Sequence, residues 1–358
     1  MKKPIRYAVI GAGALGRHHA RIAAGLDGVE LVAVAEPNAQ QGQAVACDND
    51  SRWVADYREI LDAIDAASIV VPTSQHRRIT EECITHGVPV LVEKPLAGNV
   101  EDGRAIVRAA AGQGTILQVG HIERFNPAFQ EALKRVQSPK YIRAERFSPY
   151  AFRSMDISAV HDLMIHDLDL VLTMAASPVT HVEAFGICVM GGHADIVQAR
   201  LKFANGCIAD LSANRVNPGF RRCIQSWSAS GCVTADLHNR EVKHYRPTDK
   251  LLNGPTPHAL AQMPGADIPQ LKEAVFGEYI ETEQPQIAEC DQLTAEIGHF
   301  VECIRNDSQP LVDGQAGLAA LEVADQVLAS VNAHSWSGNV AGPIGPHFHD
   351  VHTQRHVA

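Results

Sequence analysis

Over the first third of the chain, short apolar runs alternate with stretches whose apolar residues recur every three or four positions, the pattern of a parallel sheet with crossover helices. Strands are predicted at 5–10, 31–35, 67–71, 90–92 and 116–119, and helices at 15–26, 57–64, 78–86 and 100–111. This is one doubly wound half. From about Tyr141 the period changes to two, predicting longer strands at 141–147, 182–189, 197–203, 206–214, 222–229, 233–237 and 241–245, with a helix inserted at 161–174. A second, α/β region with an open, mostly antiparallel sheet is expected. Residues 246–290, rich in Pro, Gly and polar side chains, read as an excursion, after which 291–305 and 315–332 resume helical periodicity and should pack back on the rest. The expected division is 1–121, 122–336 and a flexible histidine-containing tail, 337–358.

The length of 358 residues suits two domains, and 46% hydrophobic with 20% charged residues is a globular balance. A net charge of −10 disfavours nucleic-acid phosphate or an anionic membrane as partner. No apolar run approaches the ~20 residues of a membrane span, and strand-like sequence starts at Ile5 where an export signal would need an apolar core. A cytoplasmic protein is expected. Its eight cysteines form no C-x-x-C pair and read as reduced, mostly buried thiols.

Gly11-Ala12-Gly13-Ala14-Leu15-Gly16 directly follows the first strand and opens the first helix, as a dinucleotide fingerprint requires. The glycines permit a tight turn, let the backbone approach a pyrophosphate and let helix meet strand, while the helix N-terminus offers oriented N–H groups. Glu36 ends the second strand twenty residues after Gly16, where a carboxylate accepts ribose hydroxyls and repels a 2′-phosphate. Pro37-Asn38-Ala39 bring no cation to hold that phosphate, so NAD is preferred to NADP. A solvated strand-end glutamate is the plainer alternative. Val71-Pro72-Thr73 and Glu93-Lys94-Pro95 close two further strands at their carboxyl ends, where open α/β sheets bind ligands. Lys94 can there polarise a substrate oxygen.

In the inserted helix, Asp162 and His166 stand at i and i+4, with Asp169 three further on. A carboxylate beside an imidazole supports its protonated form, which suits His166 to take a hydroxyl proton. The same spacing serves an amphipathic helix with Leu163, Ile165, Leu168 and Leu170 inside and a surface Asp–His pair outside. The tail histidines 347, 349, 352 and 356 lack flanking structure to fix them, and no metal is assigned.

Taken together, G-A-G-A-L-G at 11–16, V-P-T-S-Q-H at 71–76, E-K-P at 93–95, G-H-I-E-R-F-N-P at 120–127 and H-D-L-M-I-H-D-L-D at 161–169 resemble the Gfo/Idh/MocA family of sugar and cyclitol oxidoreductases, over about residues 5–335. The resemblance implies an N-terminal Rossmann domain, a C-terminal α/β domain whose sheet makes dimer or tetramer contacts, and a catalytic group of Lys94, Asp162 and His166. It extends the cofactor set to Gly11, Ala12, Gly13, Leu15, Gly16, Glu36, Pro72, Thr73, His76, Glu93 and Lys94. One departure stands out: Met164 replaces the glycine of the usual D-x-G-x-H-x-x-D pattern. The motifs at 120–127 and 162–170 are similar to members that oxidise the 3-hydroxyl of UDP-N-acetylglucosamine to a 3-keto sugar nucleotide, for 2,3-diamino sugars and some lipid A types. Beside Lys94 and His166, Arg124, Asn126 and Arg153 are the candidates for holding such a substrate, since a diphosphate needs cationic or amide donors; a surface ion pair is the alternative for each arginine. Three other activities stay open: a free-sugar or inositol dehydrogenase, a glycosidase using NAD transiently, and a non-catalytic NAD-binding regulator.

Overall fold

The computed structural model describes residues 3–152, 157–337 and 341–346. Along the chain run β1 (Ile5–Ile10), α1 (Gly16–Gly25), β2 (Val29–Ala35), α2 (Ala39–Asp48), β3 (Arg52–Val54), β4 (Ala66–Ile69), α3 (His76–Thr85), β5 (Val90–Glu93), α4 (Val100–Gln113) and β6 (Leu117–Gly120). Then follow α5 (Pro127–Leu133), β7 (Tyr141–Phe147), a π-helical turn (Val160–Met164) leading into α6 (Ile165–Ala175), β8 (Val179–Ile187), β9 (Ile196–Phe203) and β10 (Ile208–Asn214). The last elements are β11 (Arg221–Ser228), β12 (Gly231–Asp236), β13 (Glu241–Pro247), the short helices α7 (Asp249–Asn253), α8 (Pro257–Ala261) and α9 (Ile268–Ala274), β14 (Ile280–Glu283), α10 (Gln292–Asn306) and α11 (Gly314–Ala333).

Two compact units emerge, residues 1–125 with 290–325, and residues 126–289 with 326–358. The first is built on a parallel sheet of order β3-β2-β1-β4-β5-β6. Its strands bury both faces, so they read as continuous apolar runs. Residues 290–325 join this unit although a linear division at 121 puts them with the second half. The reason is packing: Leu293, Ile297, Phe300 and Val301 of α10 share one core with Tyr7, Val9, Ala20 and Leu91, and the Phe300 ring meets Tyr7 edge-on at 6.2 Å. Three other local expectations change. The stretch 57–64 forms two 3-10 turns instead of an α-helix. Helix α2, capped by the Asn38 side chain accepting from Gln41 N–H, and the three-residue strand β3 were not expected from the period.

The second unit carries an eight-stranded sheet, β14-β13-β12-β11-β7-β10-β9-β8. Its pairs are antiparallel except for β7 with β10. Side chains alternate cleanly, with Ala209, Leu211 and Ala213 buried and Asp210 and Ser212 on the opposite face. That opposite face is mixed: Arg200 pairs with Asp210 at 2.7 Å, Arg143 and Arg221 both reach Glu145, and Tyr141, Trp227, Ile208 and Phe147 lie half-buried beside them. No helix among the described residues is long and apolar enough to cross a membrane. Of the eight cysteines, all are free, with Cys83, Cys188, Cys207 and Cys303 buried and Cys47 exposed. The tail histidines lie outside the described residues.

Candidate active site

At the carboxyl ends of the parallel strands, the first unit opens a groove of about 830 Å³. Gly11, at φ +99°, turns the chain so tightly that a Cβ would stand 2.2 Å from Val70 O. At Gly16 a Cβ would lie 2.0 Å from Gly11 O, so this glycine admits the turn's own backbone rather than a neighbouring strand. A Cβ at Gly13 would meet no protein atom within 4 Å; its bareness keeps open the space on the groove side. Helix α1 starts with neither a side-chain cap nor an acidic residue in its first turn, leaving its N-terminal dipole for an external anion. These features fit a dinucleotide pyrophosphate.

Glu36 lies at the tip of β2, where Ala12 N–H and Asn38 N–H donate to its two carboxylate oxygens at 2.9 and 3.0 Å. Trp53 Nε1 donates to the Glu36 carbonyl at 3.0 Å and fixes the backbone below it. Arg58 and Arg78 line the same groove. They come from segments far from Glu36 in sequence, so inspection of residues 37–39 could not reveal them. Both are occupied, Arg58 by Asp56 and Glu82, Arg78 by Gln75, the Tyr57 hydroxyl and Glu82. Pro72 and Thr73 stand where β4 gives way to a 3-10 turn leading into α3. His76 is buried, its ring nitrogens 2.9 Å from Pro95 O and 3.0 Å from Val71 O, and burial pushes its pKa down. What it offers the groove is ring surface and a tie between two loops.

Glu93 and Lys94 end β5, and the Lys94 N–H donates to Glu93 Oε2 at 3.2 Å. Beyond β6, His121 is buried, and desolvation together with the charges of Lys94 and Arg124 pushes its pKa down to about 3. It is a neutral imidazole beside two cations, and the G-H-I-E-R-F-N-P motif contained it without marking it. Arg124 is itself buried and donates to Leu311 O at 3.0 Å.

In the second unit, Asn126 is fully buried; its amide caps α5 by accepting from Ala128 N–H and donates to Leu237 O at 3.0 Å. Asp162 lies in the π-helical turn and His166 just beyond it in α6, both half-buried, while Leu163, Ile165, Leu168 and Leu170 face the core. π-turns concentrate at functional sites because they re-aim side chains within a helix. Met164 is fully buried. Asp167 forms a buried two-pronged ion pair with Arg146, at 2.8 to 3.1 Å, which clamps the helix onto β7. A cavity of about 210 Å³ adjoins Asp162, bounded by Tyr150, Arg215 and Phe220 among others. Arg153 lies outside the described residues. Among the described residues no group of three or more His, Cys, Asp or Glu could hold a metal ion.

A parallel sheet with a glycine turn, a bare helix N-terminus and an acidic strand tip defines an NAD-binding oxidoreductase. Residues 5–121 match the oxidoreductase family with an NAD-binding Rossmann fold, GFO/IDH/MocA, and residues 135–228 match its C-terminal domain; the chain belongs to this family. It is 32% identical to the UDP-N-acetylglucosamine 3-dehydrogenase of Acidithiobacillus ferrooxidans over 330 residues, 92% of this chain and 98% of the relative. Identity to the scyllo-inositol 2-dehydrogenase (NAD(+)) of Bacillus subtilis is 27%, over 90% and 93% of the two chains. The solved structure of the A. ferrooxidans enzyme superposes with a TM-score of 0.81 at 31% identity, covering 91% of this chain and 97% of that one.

Proposed function

We propose that this protein is an NAD-dependent dehydrogenase of a nucleotide sugar, oxidising the 3-hydroxyl of UDP-N-acetylglucosamine to a ketone. The observation that carries this reading is the near full-length match to the A. ferrooxidans enzyme, which exceeds the match to the inositol dehydrogenase in identity and in the share of the relative covered. The nicotinamide cofactor, when bound, supplies the acceptor for the hydrogen that leaves carbon. His166 takes the hydroxyl proton, because an imidazole titrates nearest neutrality, and Asp162 supports its charged form. Lys94, at the end of β5, donates a hydrogen bond to the oxygen as negative charge develops on it. Arg124 and Arg153 are the proposed cationic contacts for the diphosphate. Asn126 keeps a framing role, since its amide is spent on the backbone.

The decisive experiment mixes the protein with NAD and, separately, UDP-N-acetylglucosamine, other UDP-sugars, free sugars and inositols, following NADH absorbance. Turnover with inositols alone transfers the reading to cyclitols; NAD binding without turnover on any of them favours a regulator. The proposal includes assembly into dimers or tetramers through the eight-stranded sheet. Because that face carries ion pairs beside its aromatic side chains, the contact should weaken with salt. A monomeric mass by light scattering at micromolar concentration in low salt would count against it.

A further inference from the structure

Below the groove floor, three side chains the reaction does not use form a buried hydrogen-bonded chain. The Tyr7 hydroxyl lies 2.6 Å from Ser68 Oγ, Ser68 Oγ lies 3.0 Å from His19 Nδ1, and His19 Nε2 lies 3.1 Å from Glu93 Oε1. Tyr7, Ser68 and His19 are all fully buried. An ionised carboxylate only accepts, so His19 Nε2 carries the hydrogen facing Glu93. With one hydrogen on the ring, Nδ1 accepts from Ser68 and Ser68 accepts from Tyr7, whose phenol burial keeps protonated. Every hydrogen then has an acceptor, and the chain points one way, from the core to Glu93.

The carboxylate at the end of this chain is held at both oxygens. Its other oxygen accepts the Lys94 N–H, and a Cβ at Gly120, its register partner on β6, would stand 3.0 Å from the carboxyl carbon. Glu93 nonetheless keeps 12% of its side chain exposed and lines the groove. From the tip of β2 to the tip of β5 is three strand spacings, or ~14 Å. Glu36 and Glu93 therefore mark the two ends of a groove sized for a dinucleotide. His19 belongs to α1, the helix whose N-terminus faces the pyrophosphate position.

We propose that His19 is a positioning residue: backed by Ser68 and Tyr7, it ties the pyrophosphate-binding helix to the Glu93 carboxylate and holds that carboxylate as the acceptor for the cofactor's far end, beside Lys94. This rests on the groove being the dinucleotide site and on Lys94 working there. A core histidine that merely satisfies its own nitrogens would need no groove-lining partner; this one spends its second nitrogen on a carboxylate oxygen of a residue that lines the groove.

The test is a double-mutant cycle read by calorimetric titration of NAD into the whole protein. His19→Leu and Glu93→Gln should each raise the NAD Kd about tenfold, and the double variant about tenfold rather than a hundredfold, because both remove one interaction. His19→Gln, which keeps an N–H near the Nε2 position, should stay within about threefold of wild type, a rescue that a packing role would not produce. If His19→Leu does not fold, Ser68→Ala replaces it in the cycle, with about a threefold rise that vanishes in the Glu93→Gln background. Additive effects, or a Kd for His19→Leu within twofold of wild type, overturn the proposal. Wild-type protein that fails to bind NAD removes this inference and the cofactor groove together. Wild type that binds NAD but oxidises no sugar removes only the substrate reading, and the cycle still decides this one.

Discussion

In the first unit two carboxylates of the groove stand at strand tips, Glu36 after β2 and Glu93 at β5, both half-buried, Glu36 accepting from two backbone N–H groups and Glu93 from the Lys94 N–H and the His19 ring. In the second unit the strongest charge contacts lie inside: Arg146 with Asp167 and Arg215 with Asp195 are ion pairs whose side chains are at most 4% exposed. The first arrangement leaves lone pairs facing a ligand, as an open sheet's carboxyl edge does. The second closes each charge on its partner, and Arg146 with Asp167 thereby fixes the helix that carries Asp162 and His166. One unit sets its carboxylates at the edge of a groove and the other spends its charges inside the fold.

That contrast breaks first if removing a chemical group and removing a framework group cost the same thing. His166→Ala and Lys94→Ala should each lower turnover about a hundredfold or more while NAD affinity survives, measured by NADH formation and calorimetry. Full turnover in His166→Ala with loss in Lys94→Ala would make the lysine the base. Asp167→Ala should instead lower stability, by about 3–5 kcal/mol, because it removes the counter-charge of the buried Arg146 guanidinium. Replacing both partners, Arg146→Met with Asp167→Leu, should recover most of that loss in urea unfolding.

A smaller effect sharpens the first half of the comparison. Glu36→Ala should narrow the preference for NAD over NADP by about tenfold, the scale of one close like-charge contact removed, and equal affinities in the wild type would refute the role of the carboxylate. The last concerns His121, whose native pKa is pushed down to about 3. Between the ordinary histidine value and 3 the unfolded chain binds a proton that the native state refuses, so this residue's contribution is full above about pH 6.5 and is lost as pH falls. His121→Gln should therefore flatten the acid side of the stability curve by up to about 1.4 kcal/mol per pH unit, read as urea midpoints from pH 4 to 7.

Much of the first unit was legible because its signals are local. A strand followed at once by Gly11-Ala12-Gly13-Ala14-Leu15-Gly16 carries both the element and the reason for the turn, and the observed β1 has the predicted limits. Helix α2 escaped because Ala39–Asp48 has little apolar face to mark it, only Gly42, Val45 and Ala46 being buried. The excursion at 246–290 hid three short helices and the edge strand β14 for a related reason: all its helices are mostly exposed, so no period develops. Which residues of the sheet would pair by charge was not legible, because a period of two does not say how charges meet across strands, and Arg200 meets Asp210 only through the β9–β10 register.

The limits of β1, the glycine turn that follows it and the acid at the tip of β2 were determined by sequence alone, since each rests on spacing within a few residues. Tertiary structure decided what depends on distant segments meeting: that 290–325 completes the first unit, that Arg58 and Arg78 line its groove, that Asn126 caps a helix, and that His19 reaches Glu93 across 74 positions. A hydrogen bond is set by a few tenths of an ångström between groups that the chain may separate arbitrarily, and only the packed core brings them to that distance.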